Sequence, residues 1–121
     1  MARILVVDDD QDMADSAKRI LVKHGYGVEV FQDARKAIEE AKKQRPDLIL
    51  MDLMMPQLSG EDAIKELKSD PYLADIPVII LTGLLYPEEI TRTTVDGKAY
   101  RILGKPYQIG DLIKVVKELL G

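Results

Sequence analysis

The sequence predicts an α/β fold built on a parallel sheet, and three short apolar segments carry that prediction. Residues 4–7, 48–51 and 78–81 are continuously apolar, without the alternation expected of a strand that has one face in water. Such segments are typical of strands buried on both faces, as in a parallel sheet covered by helices. Helical patterns separate them, which is the order of βαβ units with right-handed crossovers.

The predicted strands cover residues 3–7, 28–31, 48–51, 78–81 and 100–103, and the predicted helices cover residues 11–24, 34–43, 61–69 and 109–120. Asp10 and Asp33 are the expected N-caps of the first two helices, and Gly25 ends the first of them. Pro87 suits the start of a further helix. The threonines after it are weak helix formers and Gly97 cuts the pattern short, so we expect a short or mobile element there.

These elements predict a flavodoxin-like, doubly wound sheet of five parallel strands in the order 2-1-3-4-5, with helices on both faces. The 121 residues suit one domain spanning residues 1–121, and the 46% apolar content is enough for a buried core. The net charge of -4 gives no support for direct binding to nucleic acid or to an anionic membrane. No segment has the length of a membrane span, and we expect a cytoplasmic protein.

Composition also limits the chemistry of any site. The chain has no cysteine, which removes disulfides, thiolate metal sites and a cysteine nucleophile. His24 is the single histidine, so a site built on several histidines is not expected. Carboxylates are then the expected ligands for any metal, and they favour a hard cation such as Mg²⁺.

Polar residues that could carry chemistry stand where the predicted strands end. Asp8 and Asp9 follow the first strand, Asp52 the third, Thr82 the fourth and Lys105 the fifth. In the predicted order the first and third strands are neighbours, and their carboxyl ends form the switch point at which α/β sheets bind ligands. We therefore expect the acidic pair to lie beside the third carboxylate.

Three carboxylates this close repel one another unless a cation joins them, and Mg²⁺ would relieve the repulsion. The Asp52 carboxylate is already ionised and can attack phosphorus to give an acyl phosphate without a general base. Thr82 and Lys105 could each reach an oxygen of the phosphoryl group. Taken alone, Asp52 could equally begin a turn, so the prediction depends on the group as a whole.

Four motifs resemble the receiver domain of the two-component response-regulator family, and the resemblance covers essentially the whole chain. They are ILVVDDD at residues 4–10, LILMDLMMPQLSG at 48–60, VIILTG at 78–83 and LGKPY at 103–107. Each motif alone is weak, and it is their order and spacing that make the resemblance specific.

The resemblance implies a role for each acidic residue. Asp52 would be the phospho-acceptor. Asp8 and Asp9 would be the metal-binding acidic pair, with Asp9 the more direct ligand. Asp52 and the main-chain carbonyl of Met54 would complete the protein ligands of Mg²⁺. Thr82 would follow the phosphoryl group, Lys105 would contact it, and Pro106 would follow a cis peptide bond.

The implied function is a phosphorylation switch. A sensor histidine kinase, a phosphotransfer protein or a small phosphodonor would modify Asp52, and an unnamed downstream protein would read the change. The domain would catalyse only its own phosphorylation and dephosphorylation. The sequence leaves open whether the phosphorylated form dimerises and whether an effector domain belongs to the same protein.

Two alternative functions stay open. The family usually carries an aromatic residue at the position of Ile102, and Tyr100, on the same face of the strand, is a candidate substitute. A receiver-like adaptor that works without phosphorylation is therefore one alternative. A Mg²⁺-dependent phosphatase of the haloacid-dehalogenase type is another, but it needs a second aspartate two residues after the nucleophile, where this chain has Met54.

Overall fold

The computed structural model describes residues 1–52, 60–82, 90–95, 98–104 and 107–121. The strands are β1 (Arg3–Val7), β2 (Gly27–Phe31), β3 (Leu48–Asp52), β4 (Val78–Thr82), β5 (Ile90–Val95) and β6 (Lys98–Gly104). The helices are α1 (Gln11–Lys23), α2 (Ala34–Lys43), α3 (Gly60–Ser69) and α4 (Ile109–Leu120). Among the described residues, no helix combines the length and the apolar character needed to cross a membrane.

The strands form one sheet in the order β2-β1-β3-β4-β6-β5. The first five strands of that order all pair in parallel, which confirms the predicted 2-1-3-4-5 arrangement, with β6 as its fifth parallel strand. β5 is an addition to this arrangement. It pairs antiparallel with β6 and lies at the edge of the sheet.

The helix that Pro87 was expected to start does not include residues 90–95, because these residues form β5. Their sequence is ITRTTV, in which every residue except Arg92 is β-branched. Such side chains lose rotamer freedom in a helix and fit well on a pleated strand. Pro87 and Gly97 themselves lie outside the described residues. The alternation of strands and helices therefore does not hold between β4 and β6.

Buried side chains cover both faces of the sheet, which confirms the prediction of helices on both sides. Leu5 and Ile49 belong to a cluster that includes the apolar residues of α2 and α3. Ile4 and Leu50, their neighbours in sequence, belong to a second cluster with α1 and α4. Successive side chains of a strand point to opposite faces, so a continuously apolar strand supplies both clusters. Each such side chain contributes roughly 1.5–3 kcal/mol by its burial.

The first two helices begin as the sequence predicts. The side chain of Asp10 accepts a hydrogen bond from the main-chain N–H of Met13 at 3.2 Å, and that of Asp33 accepts one from Arg35 at 2.8 Å. Gly25 follows the end of α1 with a φ of 93°, a left-handed conformation that favours glycine. The cap at Asp10 fixes the start of α1 directly after the acidic residues that follow β1.

Arg3 joins several elements at the end of the sheet where β1 begins. Its Nη2 atom donates to Glu29 on β2 at 2.7 Å and to Glu40 on α2 at 2.8 Å. Its Nη1 atom donates to the main-chain oxygen of Gln44 at 2.5 Å, and its main-chain N–H donates to Asp47 at 2.8 Å. The side chain of Arg3 is only 16% exposed. One residue therefore holds β1, β2, α2 and the segment before β3 together.

Arg3→Ala is expected to lower the free energy of unfolding by about 1–3 kcal/mol, because it leaves a main-chain carbonyl and two carboxylates without this donor. Glu29 is half exposed, so solvent screening limits its share of the loss. The measurement is urea denaturation. Arg45→Ala is the control, since exposed Arg45 makes one hydrogen bond within the described part of the chain, to the main-chain oxygen of Tyr72, and its loss should cost less than about 1 kcal/mol. Equal losses in the two variants would contradict the role assigned to Arg3.

Candidate functional site

Asp52 is the last residue of β3, a strand whose residues are all buried. β3 lies between β1 and β4 in the sheet, and Asp52 pairs with Leu81 of β4. Asp52 is only 4% exposed. Buried ionisable groups that lie close to other charged groups are common at functional sites, so the position of Asp52 beside Asp8 and Asp9 favours a functional role.

Asp8 and Asp9 occupy the short connection between β1 and α1, and they differ in exposure. Asp8 is 1% exposed, whereas Asp9 is exposed. The main-chain N–H of Asp8 donates to the oxygen of Phe31 at 3.0 Å, which continues the pairing of β1 with β2 by one residue. The main-chain N–H of Asp10 donates to Oδ1 of Asp8 at 3.0 Å. These contacts hold the Asp8 carboxylate at the end of β1.

The structure brings Asp8, Asp9 and Asp52 together. One carboxylate oxygen from each residue can be chosen so that the three oxygens lie within 4.8 Å of one another. The cause is the sheet order: β1 and β3 are neighbours, and Val7 pairs with Met51, so the residues that follow them are adjacent. The predicted proximity of the three residues is confirmed, and their roles stay predictions.

The donor set fits a hard divalent cation. The part of it that the structure describes consists of carboxylate oxygens, two from buried residues and one from an exposed residue. Mg²⁺ is usually bound through a few carboxylates and keeps several waters, so an exposed ligand at the edge of the group suits it. The three negative charges also attract a cation strongly, because they would otherwise repel one another.

Of the other predicted site residues, the structure describes Thr82 alone. Thr82 is the last residue of β4, directly after Leu81, the partner of Asp52, and it pairs with Gly104 of β6. Its main chain therefore lies at the same end of the sheet as the carboxylates. Met54, Lys105 and Pro106 lie outside the described residues, so their predicted roles as metal ligand, phosphoryl contact and cis-proline turn are not examined by the structure.

Ile102, which stands at the family's usual aromatic position, is in β6 opposite Ile80 of β4. The parallel pairing of β4 with β6 places this position on the strand next to the one that ends in Thr82. Ile102, which departs from the family pattern, therefore lies in the sheet close to Thr82, the predicted switch residue.

One contact of Asp10 was not predicted from the sequence. Asp10 is the helix cap that the sequence predicts, and its main-chain N–H also donates to the carboxylate of Asp8 and orients it. This contact could have been predicted. The side chain of an aspartate commonly accepts a hydrogen bond from the main-chain N–H two residues later, as Asp8 does from Asp10.

Two open depressions on the described surface are lined by residues other than Asp8, Asp9 and Asp52. One is on the outer side of α3, and the other is on the outer side of α1. A hydrated ion and a phosphoryl group are small and reach an exposed edge directly, so the site does not depend on a deep pocket.

Comparison with known proteins identifies the family. Residues 4–117 match the family described as the response regulator receiver domain. Among curated proteins, the response regulator MprA of Mycolicibacterium vanbaalenii is 36% identical over 118 residues, and that of Mycobacterium leprae is 35% identical. These matches cover 98% of this chain and 50% of each relative, so the chain spans about half the length of the curated relatives it matches.

Solved structures agree with this assignment. The signal receiver domain of a signal transduction histidine kinase from Syntrophus aciditrophicus has a TM-score of 0.84 and 34% identity, with 99% of this chain and 90% of that chain covered. The chemotaxis protein CheY4 of Vibrio cholerae has a TM-score of 0.82 and 26% identity, with 98% of both chains covered. The fold, the matched residues and these relatives together show that the chain belongs to the response regulator receiver domain family.

Proposed function

We propose that this chain is a phospho-acceptor switch in which Asp52 receives a phosphoryl group. The observation that carries the proposal is the buried carboxylate of Asp52 at the end of β3, grouped with Asp8 and Asp9. The two neighbouring acids would supply a metal site next to the reacting oxygen. One receiver domain covering residues 1–121 would contain all the groups that the reaction needs.

In the proposed reaction, one carboxylate oxygen of Asp52 forms a bond to phosphorus while the bond from phosphorus to the donor breaks. The leaving group keeps the electron pair of that bond. The donor is a phosphohistidine of a sensor kinase or phosphotransfer protein, or a small acyl phosphate. No proton has to be removed from the nucleophile, because a carboxylate is ionised at neutral pH.

Asp8, Asp9, Asp52 and the main-chain carbonyl of Met54 would hold Mg²⁺. When bound, the ion would neutralise charge on the oxygens of the transferring phosphoryl group. Lys105 would contact one of the remaining oxygens, and the hydroxyl of Thr82 would contact another. The main-chain amide of Asp10 orients Asp8, so the start of α1 contributes indirectly to the metal site.

The phosphoryl group would act on the adjacent strands. It adds negative charge and hydrogen-bond acceptors beside the end of β4, and β4 pairs with β6, which in turn pairs with β5. A change at Thr82 would therefore be transmitted to the β6–β5 end of the sheet, where a downstream protein would bind. The partners of the proposed switch are a sensor histidine kinase or phosphotransfer protein and that downstream protein, and the switch itself would be cytoplasmic.

The test is the intact mass of the protein after incubation with acetyl phosphate and Mg²⁺. We expect the mass to rise by one phosphoryl group, and to stay unchanged when the metal is removed with a chelator. Exposure of the product to hydroxylamine should replace the phosphoryl mass by the smaller added mass of a hydroxamate, because this nucleophile attacks the acyl carbon and phosphate leaves. A folded protein that gains no mass under any of these conditions would contradict phosphorylation by a small donor.

A phosphorylation-independent adaptor is the second candidate, and Ile102 is the observation that favours it. The two functions are separated by beryllofluoride, which mimics a phosphoryl group without transferring one. A switch should bind beryllofluoride and Mg²⁺ with chemical-shift changes at the amide of Asp52 and along β4 and β6. An adaptor should show no changes there, and its partner binding should be the same in Asp52→Asn.

A further inference from the structure

The main-chain N–H, the main-chain oxygen and the side chain of Asp10 each make a hydrogen bond. The N–H donates to Oδ1 of Asp8 at 3.0 Å. The side chain accepts from the N–H of Met13 at 3.2 Å, and the main-chain oxygen accepts from the N–H of Ala14 at 3.0 Å. Asp10 is therefore bonded on one side to a member of the carboxylate group and on the other side to the first turn of α1.

The core holds α1 in place. Ala14 and Leu21 of this helix are buried, and they belong to the same cluster as Ile4 of β1. Close packing of this kind resists a shift of the helix. A change in the backbone at Asp10 is therefore transmitted to the two acids that precede it, because the helix that follows it cannot move freely.

The capping bond keeps Asp10 in a conformation that differs from that of the helix. Its backbone is extended, with a φ of -83° and a ψ of 105°, whereas a helical residue has a ψ of about -42°. Without a side chain that bonds to Met13, this conformation loses its advantage over others. A rotation about ψ at Asp10 turns the preceding peptide group, and with it the N–H that donates to Asp8.

We propose that Asp10 is a positioning residue for the cation site. Its capping bond to α1 directs its N–H towards Asp8 and so keeps the carboxylates of Asp8 and Asp9 in the arrangement that binds Mg²⁺. The inference rests on the proposed function, because it requires the carboxylate group to bind a cation. It adds a share in the affinity for the side chain of Asp10, which is not one of the three grouped carboxylates.

Two variants separate the capping bond of Asp10 from its charge. Asp10→Asn loses the charge but keeps a short side chain that caps a helix well. Asp10→Glu keeps the charge, but its longer side chain does not fit the short capping ring. The Kd for Mg²⁺ is measured on the full chain from the amide shift of Asp52.

We expect Asp10→Glu to weaken Mg²⁺ binding roughly tenfold, which is the lower end of the range for residues that orient metal ligands. Asp10→Asn should weaken it by less than about threefold, because an exposed charge that does not touch the ion is screened. Attraction by charge alone predicts the opposite order of the two variants.

Asp33→Glu is the matched control. Asp33 caps α2 in the same way, through a hydrogen bond from Arg35 at 2.8 Å, and it is not one of the three grouped carboxylates. This variant removes a cap without changing the charge, so the Kd for Mg²⁺ should change by less than about twofold. Equal losses of affinity in Asp10→Glu and Asp33→Glu would overturn the role of Asp10, because they would reflect a general loss of stability.

An affinity in Asp10→Glu that equals or exceeds that of Asp10→Asn would also overturn the role of Asp10, while the metal site would stand. Absence of Mg²⁺ binding by the wild-type protein would overturn the proposed metal site and this inference with it. Circular dichroism checks that each variant is folded.

If Asp10→Glu does not fold, the wild-type protein decides. Coupling between two equilibria is reciprocal, so a cap that favours Mg²⁺ binding must itself be favoured by bound Mg²⁺. Saturation with Mg²⁺ should then slow hydrogen exchange at the amide of Met13 by up to roughly tenfold and leave the amide of Arg35 unchanged. Equal exchange at Met13 with and without Mg²⁺ would overturn the inference.

Discussion

Asp52→Asn is expected to abolish phosphorylation by acetyl phosphate, with a loss in rate of at least about a hundredfold. The amide oxygen of asparagine carries no full negative charge and is a poor nucleophile towards phosphorus. Asparagine has nearly the same shape as aspartate, so a residue that is 4% exposed can be replaced without a large change in packing. The measurement is the intact mass at several times after the donor is added.

Asp47→Asn is the control for this variant, because Asp47 lies directly before the first residue of the same strand, β3, and accepts a hydrogen bond from the main chain of Arg3. Asparagine keeps an acceptor there, and we expect phosphorylation to continue at the wild-type rate. Adduct formation in Asp52→Asn at that rate would show that another residue is the acceptor.

Asp9→Asn is expected to weaken binding of Mg²⁺ by roughly tenfold to thirtyfold, because it removes one negative charge close to where a divalent ion would bind. Asp9 is the exposed member of the carboxylate group, so its replacement should change the stability of the metal-free protein little. The affinity can be followed from the amide shift of Asp52 in a Mg²⁺ titration. Phosphorylation at low Mg²⁺ should slow in proportion.

Asp12→Asn provides the matched control, since Asp12 is an exposed acid in the first turn of α1 and is not a member of the carboxylate group. It removes the same charge from the same end of the molecule, and the expected change in Mg²⁺ affinity is less than about twofold because exposed charges at a distance are screened. Equal effects of Asp9→Asn and Asp12→Asn would mean that the ion is attracted by general charge and is not bound by Asp9.

The parallel sheet could be predicted because its strands have a simple physical signature. A strand such as β3 is buried on both faces, and it must therefore be apolar at every position up to the residue that leaves the sheet. The proximity of Asp8 and Asp52 followed from the same reasoning, because the carboxyl ends of neighbouring parallel strands lie at the same end of the sheet. Local pattern and sheet order were sufficient for both predictions.

β5 could not be predicted in the same way. Residues 90–95 lack the continuous apolar character of the inner strands, since an edge strand needs less burial. Their β-branched residues argued against a helix without specifying a partner strand. Pairing with β6 is a long-range property that a short window of sequence does not determine.

Individual side-chain contacts could not be predicted from the sequence pattern either. Asp8 and Asp9 are adjacent acids, yet one is buried and the other exposed, because the connection from β1 to α1 turns between them. The hydrogen bonds of Arg3 to β2 and α2 depend on the packing of three elements. Residue type alone does not distinguish Arg3 from a solvated surface arginine.

The most direct test of the central claim is to locate the phosphoryl group on the chain. Borohydride reduces an aspartyl phosphate to homoserine, which tandem mass spectrometry then assigns to one residue. After treatment with acetyl phosphate and Mg²⁺, we predict homoserine at Asp52 and unmodified aspartate at Asp8 and Asp9. Homoserine at either of those two residues, or an added phosphoryl mass with no homoserine at all, would contradict the assignment of Asp52 as the phospho-acceptor.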